Sequence, residues 1–185
     1  MFRKYSQMQN NNSLKILGID PGYGRIGLAV IEKTFKGKET ILYSSCLETP
    51  SKDSIYSRFK NLGAEIERVL EKYSPDEVAL ETLFIAKNQK TGMRVAEARG
   101  IIIYEAVKRG LPVFEYSPLQ IKSAITGDGT SDKGRMIKMI GLLVDLPKKY
   151  SSTDKVTKEI KVMLDDEYDA IAVALTHSAR RQSLK

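Results

Sequence analysis

Four acidic side chains stand where predicted strands end or a predicted helix begins. Asp20 closes a short apolar run just before a Pro-Gly turn, and Glu81 closes a second apolar run. Asp166 and Asp169 lie three residues apart at the start of the last predicted helix, so their side chains share one helix face. Carboxylate oxygens are the ligands that hard cations such as Mg²⁺ prefer. The four acids are therefore candidate metal ligands.

A cluster of these four carboxylates would suit the hydrolysis of a phosphodiester. Like charges within about 4–6 Å raise one another's pKa, so such a cluster is costly unless cations neutralise it. Two Mg²⁺ ions roughly 4 Å apart can activate a water molecule and stabilise the departing oxygen of a phosphoryl displacement. Mn²⁺ is the alternative ion, because it also accepts oxygen ligands.

Each acid taken alone also has a simpler explanation. Asp20 before Pro-Gly is a common turn residue, and Glu81 suits an exposed strand end. Asp166 or Asp169 could merely complement the positive end of a helix dipole. The catalytic interpretation rests on their joint placement at three element ends.

The elements that must position these acids follow from the hydrophobic pattern. Short apolar runs bounded by turn residues predict strands at 14–20, 26–31, 40–47, 77–81 and 111–116. The first three are joined by short turns, which is typical of an antiparallel meander. If the first and fourth strands are parallel neighbours, Asp20 and Glu81 emerge at the same sheet edge. A helix start docked there would complete the cluster.

The sequence between and after the later strands has the periodicity of helices. A single apolar stripe predicts a helix at 55–73, with Ser51 or Asp53 able to cap its start. A second helix at 89–108 has two apolar faces, which pack either within one chain or partly against another subunit. Shorter helices follow Ser117-Pro118 and a cap at Ser131 or Asp132, and the last helix begins near Asp166. Alternating helices and strands indicate an α/β fold with a mixed sheet flanked by helices.

Composition is typical of a globular domain, and its charge is compatible with an anionic partner. A length of 185 residues with 42% hydrophobic residues suits one domain, predicted at 14–185, preceded by a flexible polar extension at 1–13. Thirty basic and 23 acidic residues give a net charge of +7, which favours a polyanion such as nucleic acid or an anionic membrane surface, although many proteins of this charge bind neither.

Cysteine content and hydropathy limit the kinds of site that the chain can contain and its expected cellular location. A single cysteine, Cys46, excludes an intrachain disulfide and a cysteine-ligated zinc site. No apolar run is long enough to span a bilayer, and the first 13 residues lack the apolar core of a secretory signal. We expect a cytoplasmic protein that does not enter the membrane.

Several sequence blocks, in order and at similar separations, resemble the RuvC Holliday junction resolvases of the RNase H-like superfamily over residues 14–179. The blocks are Leu17-Gly-Ile-Asp-Pro-Gly22, Glu81-Thr-Leu-Phe-Ile-Ala-Lys-Asn88, Ala96-Glu-Ala-Arg-Gly100, Pro112-Val-Phe-Glu-Tyr116 and Asp166-Glu-Tyr-Asp-Ala170 leading to Thr176-His177. The resemblance implies a five-stranded mixed sheet with helices on both faces and a homodimer. It also implies symmetric, metal-dependent nicking of two opposed strands of a four-way DNA junction during recombination and repair.

The resemblance also assigns residue roles. Asp20, Glu81, Asp166 and Asp169 match the family's metal-binding acids, which implies two Mg²⁺ ions per site; some relatives have histidine at the third position. Phe84 matches a residue that stacks near the opened bases. Lys87, Lys122, Lys133 and Arg135 are expected phosphate contacts, and only Lys122 and Lys133 match basic residues of the family; such residues are more often solvated surface side chains. His177 is expected to be structural, and the branch-migration proteins RuvA and RuvB are the expected partners.

Three alternatives remain open at this point. A related RNase H-like nuclease acting on RNA or unbranched DNA would carry the same acids. A sugar-kinase or actin-like ATPase shares the pattern Gly18-Ile-Asp-Pro-Gly-Tyr-Gly24, but such proteins need two lobes and 185 residues are too few. A catalytically inactive nucleic-acid-binding module is disfavoured because all four acids are present.

Overall fold

The computed structural model describes residues 13–34, 39–83, 89–145 and 163–182. The strands are Ser13–Asp20 (β1), Arg25–Thr34 (β2), Glu39–Glu48 (β3), Glu77–Glu81 (β4), Val113–Tyr116 (β5) and Val144–Asp145 (β6). The helices are Ile55–Tyr73 (α1), Gln89–Lys108 (α2), Pro118–Thr126 (α3), Lys133–Leu143 (α4) and Asp165–Gln182 (α5).

The strands form one mixed sheet in the order β5-β4-β1-β2-β3-β6. β1, β2 and β3 are the predicted antiparallel meander, and β4 and β5 extend it as parallel strands beside β1. The prediction of a five-stranded mixed sheet is confirmed. The sheet gains one short addition, because the two residues of β6 pair in parallel with the start of β3.

Helices cover both faces of the sheet, as predicted. Alternation along β1 sends Leu17 and Ile19 into a core shared with α1 and α2. Ile16 points to the opposite face, into a core built largely by α3, α4 and α5. Each fully buried isoleucine or leucine contributes about 1.5–3 kcal/mol, so the two cores together stabilise the sheet from both sides.

Helix caps follow the sequence signals with one correction. Ser54, and neither Ser51 nor Asp53, caps α1, because its hydroxyl accepts the hydrogen bond from the Ser57 amide. Asp132 caps α4 as predicted. Three cap-competent residues lie close together before α1, and only the backbone conformation of Ser54, extended just before the first helical turn, selects it.

The two apolar faces of α2 have different environments. Ala98, Ile102 and Ala106 are buried in the core shared with α1. On the other side Met93, Tyr104 and Val107 are 64%, 62% and 54% exposed. One face of α2 is thus used within the chain, and the other is uncovered in a single subunit.

Some predictions fall outside the described residues. Residues 1–12 of the predicted extension lie there, whereas Ser13 belongs to β1. None of the helices in the described ranges has the length and apolarity needed to cross a membrane.

Candidate active site

Asp20 and Glu81 end two neighbouring strands on the same face of the sheet. β1 and β4 run parallel with Ile19 opposite Leu80, so the two acids follow side by side. Ala79, two residues before Glu81, lies in the core against α5, and Gly18, two before Asp20, contacts the backbone of α5. Because side chains alternate along a strand, both carboxyl groups point to the α5 side.

The first turn of α5 lies directly on the sheet beside these acids. Gly27 of β2 is the register partner of Asp20, and a Cβ placed on Gly27 would stand 1.9 Å from the carbonyl oxygen of Asp166. A Cβ on Gly18 would stand 2.3 Å from the carbonyl oxygen of Ala170. These two glycines therefore admit the helix that carries Asp166 and Asp169.

The charges of the four acids act on one another. Burial, then the charges of Glu81, Asp169 and Asp166, raises the pKa of Asp20 to about 7. Burial and Asp169 raise the pKa of Glu81 to about 6, against a lowering by a hydrogen bond with Asp20. Burial also raises the pKa of Asp169, and Asp166 adds to this. Charges influence one another in this way only at short range, so the four predicted acids lie in one neighbourhood at this edge of the sheet.

Two basic side chains partly neutralise the acids. Lys133 Nζ lies 3.1 Å from Asp169 Oδ2 and 3.2 Å from Asp165 Oδ2. Arg25 Nη2 lies 2.9 Å from Asp166 Oδ2. Within the described ranges no three acidic, histidine or cysteine side chains are already arranged as a ligand set for a metal ion. Each of these three ion pairs holds a carboxylate of α5 towards a protein cation.

The donor set of the site nevertheless fits a hard divalent cation. All four acids offer carboxylate oxygens, and burial, together with the charges of neighbouring acids, raises the pKa values of Asp20 and Glu81, so their ionised forms are costly without a cation. A divalent cation would offset this cost, and Lys133 and Arg25 now occupy the carboxylates of Asp169 and Asp166 that it would use. Asp20, Glu81, Asp166 and Asp169 are the residues that would hold it.

Both strand ends are held by buried or partly buried arginines. Arg58 donates from Nε to Thr49 Oγ1 and from Nη2 to the Tyr23 carbonyl, both at 2.9 Å, which fixes the turn after Asp20. Arg99 of α2 donates to the Glu81 carbonyl and pairs with the carboxylate of Glu115. These hydrogen bonds therefore hold the backbone beside Asp20 and Glu81 in place.

The predicted DNA contacts fall into three groups. Phe84 and Lys87 lie outside the described residues. Lys133 stands at the acids, and Lys122 is close enough for its charge to lower the pKa of Glu81. Arg135 is engaged elsewhere: its guanidinium donates to the Thr126 carbonyl and lies 3.6 Å from Asp128 Oδ2, at the connection of α3 and α4.

Sequence patterns did not single out Arg25, Asp165 or Arg99 as neighbours of the acids. Asp165 carried the one available signal, since it precedes Asp166 in the same acidic helix start. The placement of Arg25 depends on the register of β2 against β1, and that of Arg99 on the packing of α2 against β4.

Comparisons with known proteins agree with this architecture. The family model described as crossover junction endodeoxyribonuclease RuvC matches residues 16–177. The RuvC proteins of Petrotoga mobilis and Thermosipho melanesiensis are 39% and 41% identical, over 92% and 87% of this chain and 96% and 94% of theirs.

Solved structures extend the match to three dimensions. The RuvC structure from Thermus thermophilus superposes with a TM-score of 0.78 at 28% identity, over 92% of this chain and 96% of that one. The same protein in complex with a Holliday junction substrate gives a TM-score of 0.79 at 26% identity over the same shares. The sheet, the helices on both faces and the matched span all agree, and the chain belongs to the RuvC family of crossover junction endodeoxyribonucleases.

Proposed function

We propose that this chain resolves four-way DNA junctions in recombination and repair by nicking two opposed strands. The observation that carries the proposal is the convergence of Asp20, Glu81, Asp166 and Asp169 at one sheet edge, in a member of the RuvC family. We infer Mg²⁺ as the ion, two per site, with Mn²⁺ as a substitute. When bound, it supplies a Lewis acid that polarises the phosphate and acidifies a water molecule.

The chain's own residues prepare the site for an anionic substrate. Lys133 and Lys122 place positive charge beside the acids, which attracts a phosphate and offsets its repulsion by the carboxylates. The parallel strands β1 and β4 hold Asp20 and Glu81 on rigid backbone, so the geometry is set before the substrate arrives. Phe84 and Lys87, on the segment after β4, and Arg135 remain proposed DNA contacts.

A homodimer fits the symmetry of the substrate. The exposed face of α2 defined by Met93, Tyr104 and Val107 is the proposed subunit contact, because large apolar side chains grouped on one helix face favour burial. A two-fold dimer presents two equivalent sites to two opposed strands of a junction. RuvA and RuvB are the proposed branch-migration partners, and the cytoplasm is the proposed location.

A comparison of substrates tests the proposal. Purified protein with Mg²⁺ is given a four-way junction, a flap, a linear duplex and an RNA–DNA hybrid of equal length. We expect paired, symmetric nicks in the junction and little cleavage of the other three. Preferential cleavage of the hybrid or the linear duplex would instead favour a related nuclease acting on RNA or unbranched DNA.

Metal binding is expected to strengthen as the pH rises. In the metal-free protein the pKa of Asp20 is about 7 and that of Glu81 about 6, so protons compete with the cation below neutral pH. We expect the affinity for Mn²⁺ to be at least about tenfold weaker at pH 5.5 than at pH 7.5. Calorimetric titration in two buffers of different ionisation enthalpy measures the affinity and the protons released. Equal affinity at the two pH values would contradict shared metal binding by these acids.

A further inference from the structure

A buried polar cluster joins α5 to the sheet away from the acids. Glu77 and His177 are 0% and 1% exposed, yet both carry polar side chains. His177 Nε2 lies 2.5 Å from Glu77 Oε2, and His177 Nδ1 lies 2.6 Å from the Tyr116 hydroxyl. Arg181 Nε lies 2.9 Å from Glu77 Oε2. Nothing in the proposed chemistry uses these side chains.

The hydrogen bonds of this cluster are mutually consistent. Burial acts to raise the pKa of Glu77, but hydrogen bonds from His177 and Arg181 outweigh it and lower the pKa, so the carboxylate is ionised. An ionised carboxylate only accepts, so His177 Nε2 donates to Glu77. In the neutral imidazole Nδ1 is then the acceptor and the Tyr116 hydroxyl the donor, an assignment made from the partners. Every member of the chain Glu77–His177–Tyr116 is thereby satisfied.

Glu77 and His177 lie at the opposite ends of β4 and α5 from Glu81 and Asp169. Glu77 and Glu81 lie four residues apart on one face of β4, a span of about 13 Å. Asp169 and His177 lie eight residues apart on α5, a span of about 12 Å. With His177 hydrogen-bonded to Glu77, the matched lengths bring Asp169 level with Glu81.

Tyr116 is linked to both halves of the site. Its backbone on β5 is the register partner of Glu81, and its carbonyl accepts from the Thr82 amide at 2.8 Å. Its side chain meanwhile donates to His177 on α5. One residue therefore contacts the strand end that carries Glu81 and the helix that carries Asp169.

We propose that Tyr116 and His177 are positioning residues which, through Glu77, fix the axial position of α5 on the sheet and so set the separation of Asp169 from Glu81 on which cation binding depends. The inference rests on the metal site of the proposed function. It adds that the affinity of this site is set by a hydrogen-bonded cluster that touches neither cation nor substrate.

The variants Tyr116→Phe and His177→Gln test this role with little change of volume. Tyr116→Phe removes only the hydroxyl, and His177→Gln retains a donor towards Glu77 but loses the ring nitrogen Nδ1 that faces Tyr116. We expect each to weaken Mn²⁺ binding about fivefold to tenfold, a modest value for a group that orients metal ligands. The double variant should bind Mn²⁺ no more weakly than the single variant with the lower affinity, because both substitutions remove the same interaction.

Thr176→Val is the matched control. Thr176 neighbours His177, is fully buried, and donates its hydroxyl to the Ala172 carbonyl within the same helix. Its loss removes a buried hydrogen bond without touching the link to the sheet. We expect it to lower thermal stability as Tyr116→Phe does but to leave the dissociation constant for Mn²⁺ unchanged.

The experiment is a titration of each full-length protein with Mn²⁺ alone, followed by calorimetry and by the electron paramagnetic resonance of free Mn²⁺. Weaker binding in Tyr116→Phe and His177→Gln, with unchanged binding in Thr176→Val, supports the positioning role. Equal affinity in Tyr116→Phe, Thr176→Val and wild type overturns it while leaving the proposed function intact. Absence of Mn²⁺ binding in the wild type overturns both.

Discussion

Replacing Asp20 with asparagine is expected to abolish strand nicking while junction binding persists. Burial raises the pKa of Asp20 most, and the charges of Glu81, Asp169 and Asp166 raise it further, so Asp20 is the acid on which all three partners act. The amide has nearly the shape of the carboxylate but lacks the charge that a divalent cation needs. A loss of at least about a thousandfold in nicking rate is expected, equivalent to roughly 4 kcal/mol of transition-state stabilisation.

Binding and cleavage must be measured separately for this variant. Mobility shift of a four-way junction in a chelator reports binding, and nicking of the same junction is then started with Mg²⁺. Asp76→Asn is the matched control: Asp76 lies just before β4 at the opposite end of the sheet, where Oδ2 accepts from the Lys15 amide. An amide oxygen accepts that bond too, so nicking should be retained. An Asp20→Asn protein that nicks at the wild-type rate would end the proposed mechanism.

The same substitution is expected to stabilise the metal-free protein. The pKa of Asp20 is raised from 3.8 to about 7 on folding, so the folded state binds more protons than the unfolded state between these values. The free energy of unfolding of the wild type therefore falls as the pH rises through that window. The Asp20→Asn variant has no ionisable group at this position and does not lose this stability. At pH 8 in a chelator we expect a gain on the order of 2 kcal/mol in the free energy of unfolding. A destabilised variant would show that the carboxylates do not strain the metal-free fold.

Local sequence signals predicted the elements that carry the acids. The apolar runs ending at Asp20 and Glu81 became β1 and β4, because fully buried strands require such runs and a turn must follow them. The acidic start of α5 was predicted within one residue. The error at the cap of α1 has the same origin: local pattern identifies cap-competent residues, but the backbone angles of Ser54 decide which one acts.

Long-range partners were beyond the reach of local pattern. His177 and Glu77 are separated by 100 residues in sequence, and their contact depends on the axial position of α5 on the sheet. The pairing of Arg25 with Asp166 likewise depends on the register of β1 against β2. Expecting His177 to be structural was consistent with its burial, but its partners had no signal in the sequence.

Substitution of Gly27 by alanine is expected to lower the nicking rate strongly, although none of the four acids is changed. The new Cβ would stand 1.9 Å from the Asp166 carbonyl oxygen and 2.7 Å from its carbonyl carbon. Both are helix backbone atoms, which cannot rotate away as a flexible side chain does. Gly27 lies in a regular strand opposite Asp20, and its φ angle is not in the left-handed region. The cost of alanine therefore arises from its contact with α5 and not from strain in the backbone of Gly27.

Relief of this contact must move the first turn of α5 off the sheet. A separation near 3.2 Å requires a shift of more than about 1 Å, and misplacement of about 1 Å in a catalytic group costs about a hundredfold in rate. We expect nicking to fall by about that factor, with a destabilisation of about 1–3 kcal/mol from overpacking. Nicking in excess metal and Mn²⁺ affinity are the measurements, since a displaced Asp166 weakens the metal site itself.

Gly141→Ala is the control that separates displacement of α5 from the effect of an added methyl group. Gly141 lies in α4, and outside its own helix no atom of the described residues comes within 4 Å of its Cβ position, so alanine should stabilise the helix by about 0.5–1 kcal/mol and leave nicking unchanged. Gly18→Ala, whose Cβ would stand 2.3 Å from the Ala170 carbonyl oxygen, should behave like Gly27→Ala. If Gly27→Ala nicked at the wild-type rate, the seating of α5 on β2 would not control the position of Asp166, and the alignment of the acids would have to depend on the Glu77–His177–Tyr116 end of the helix alone.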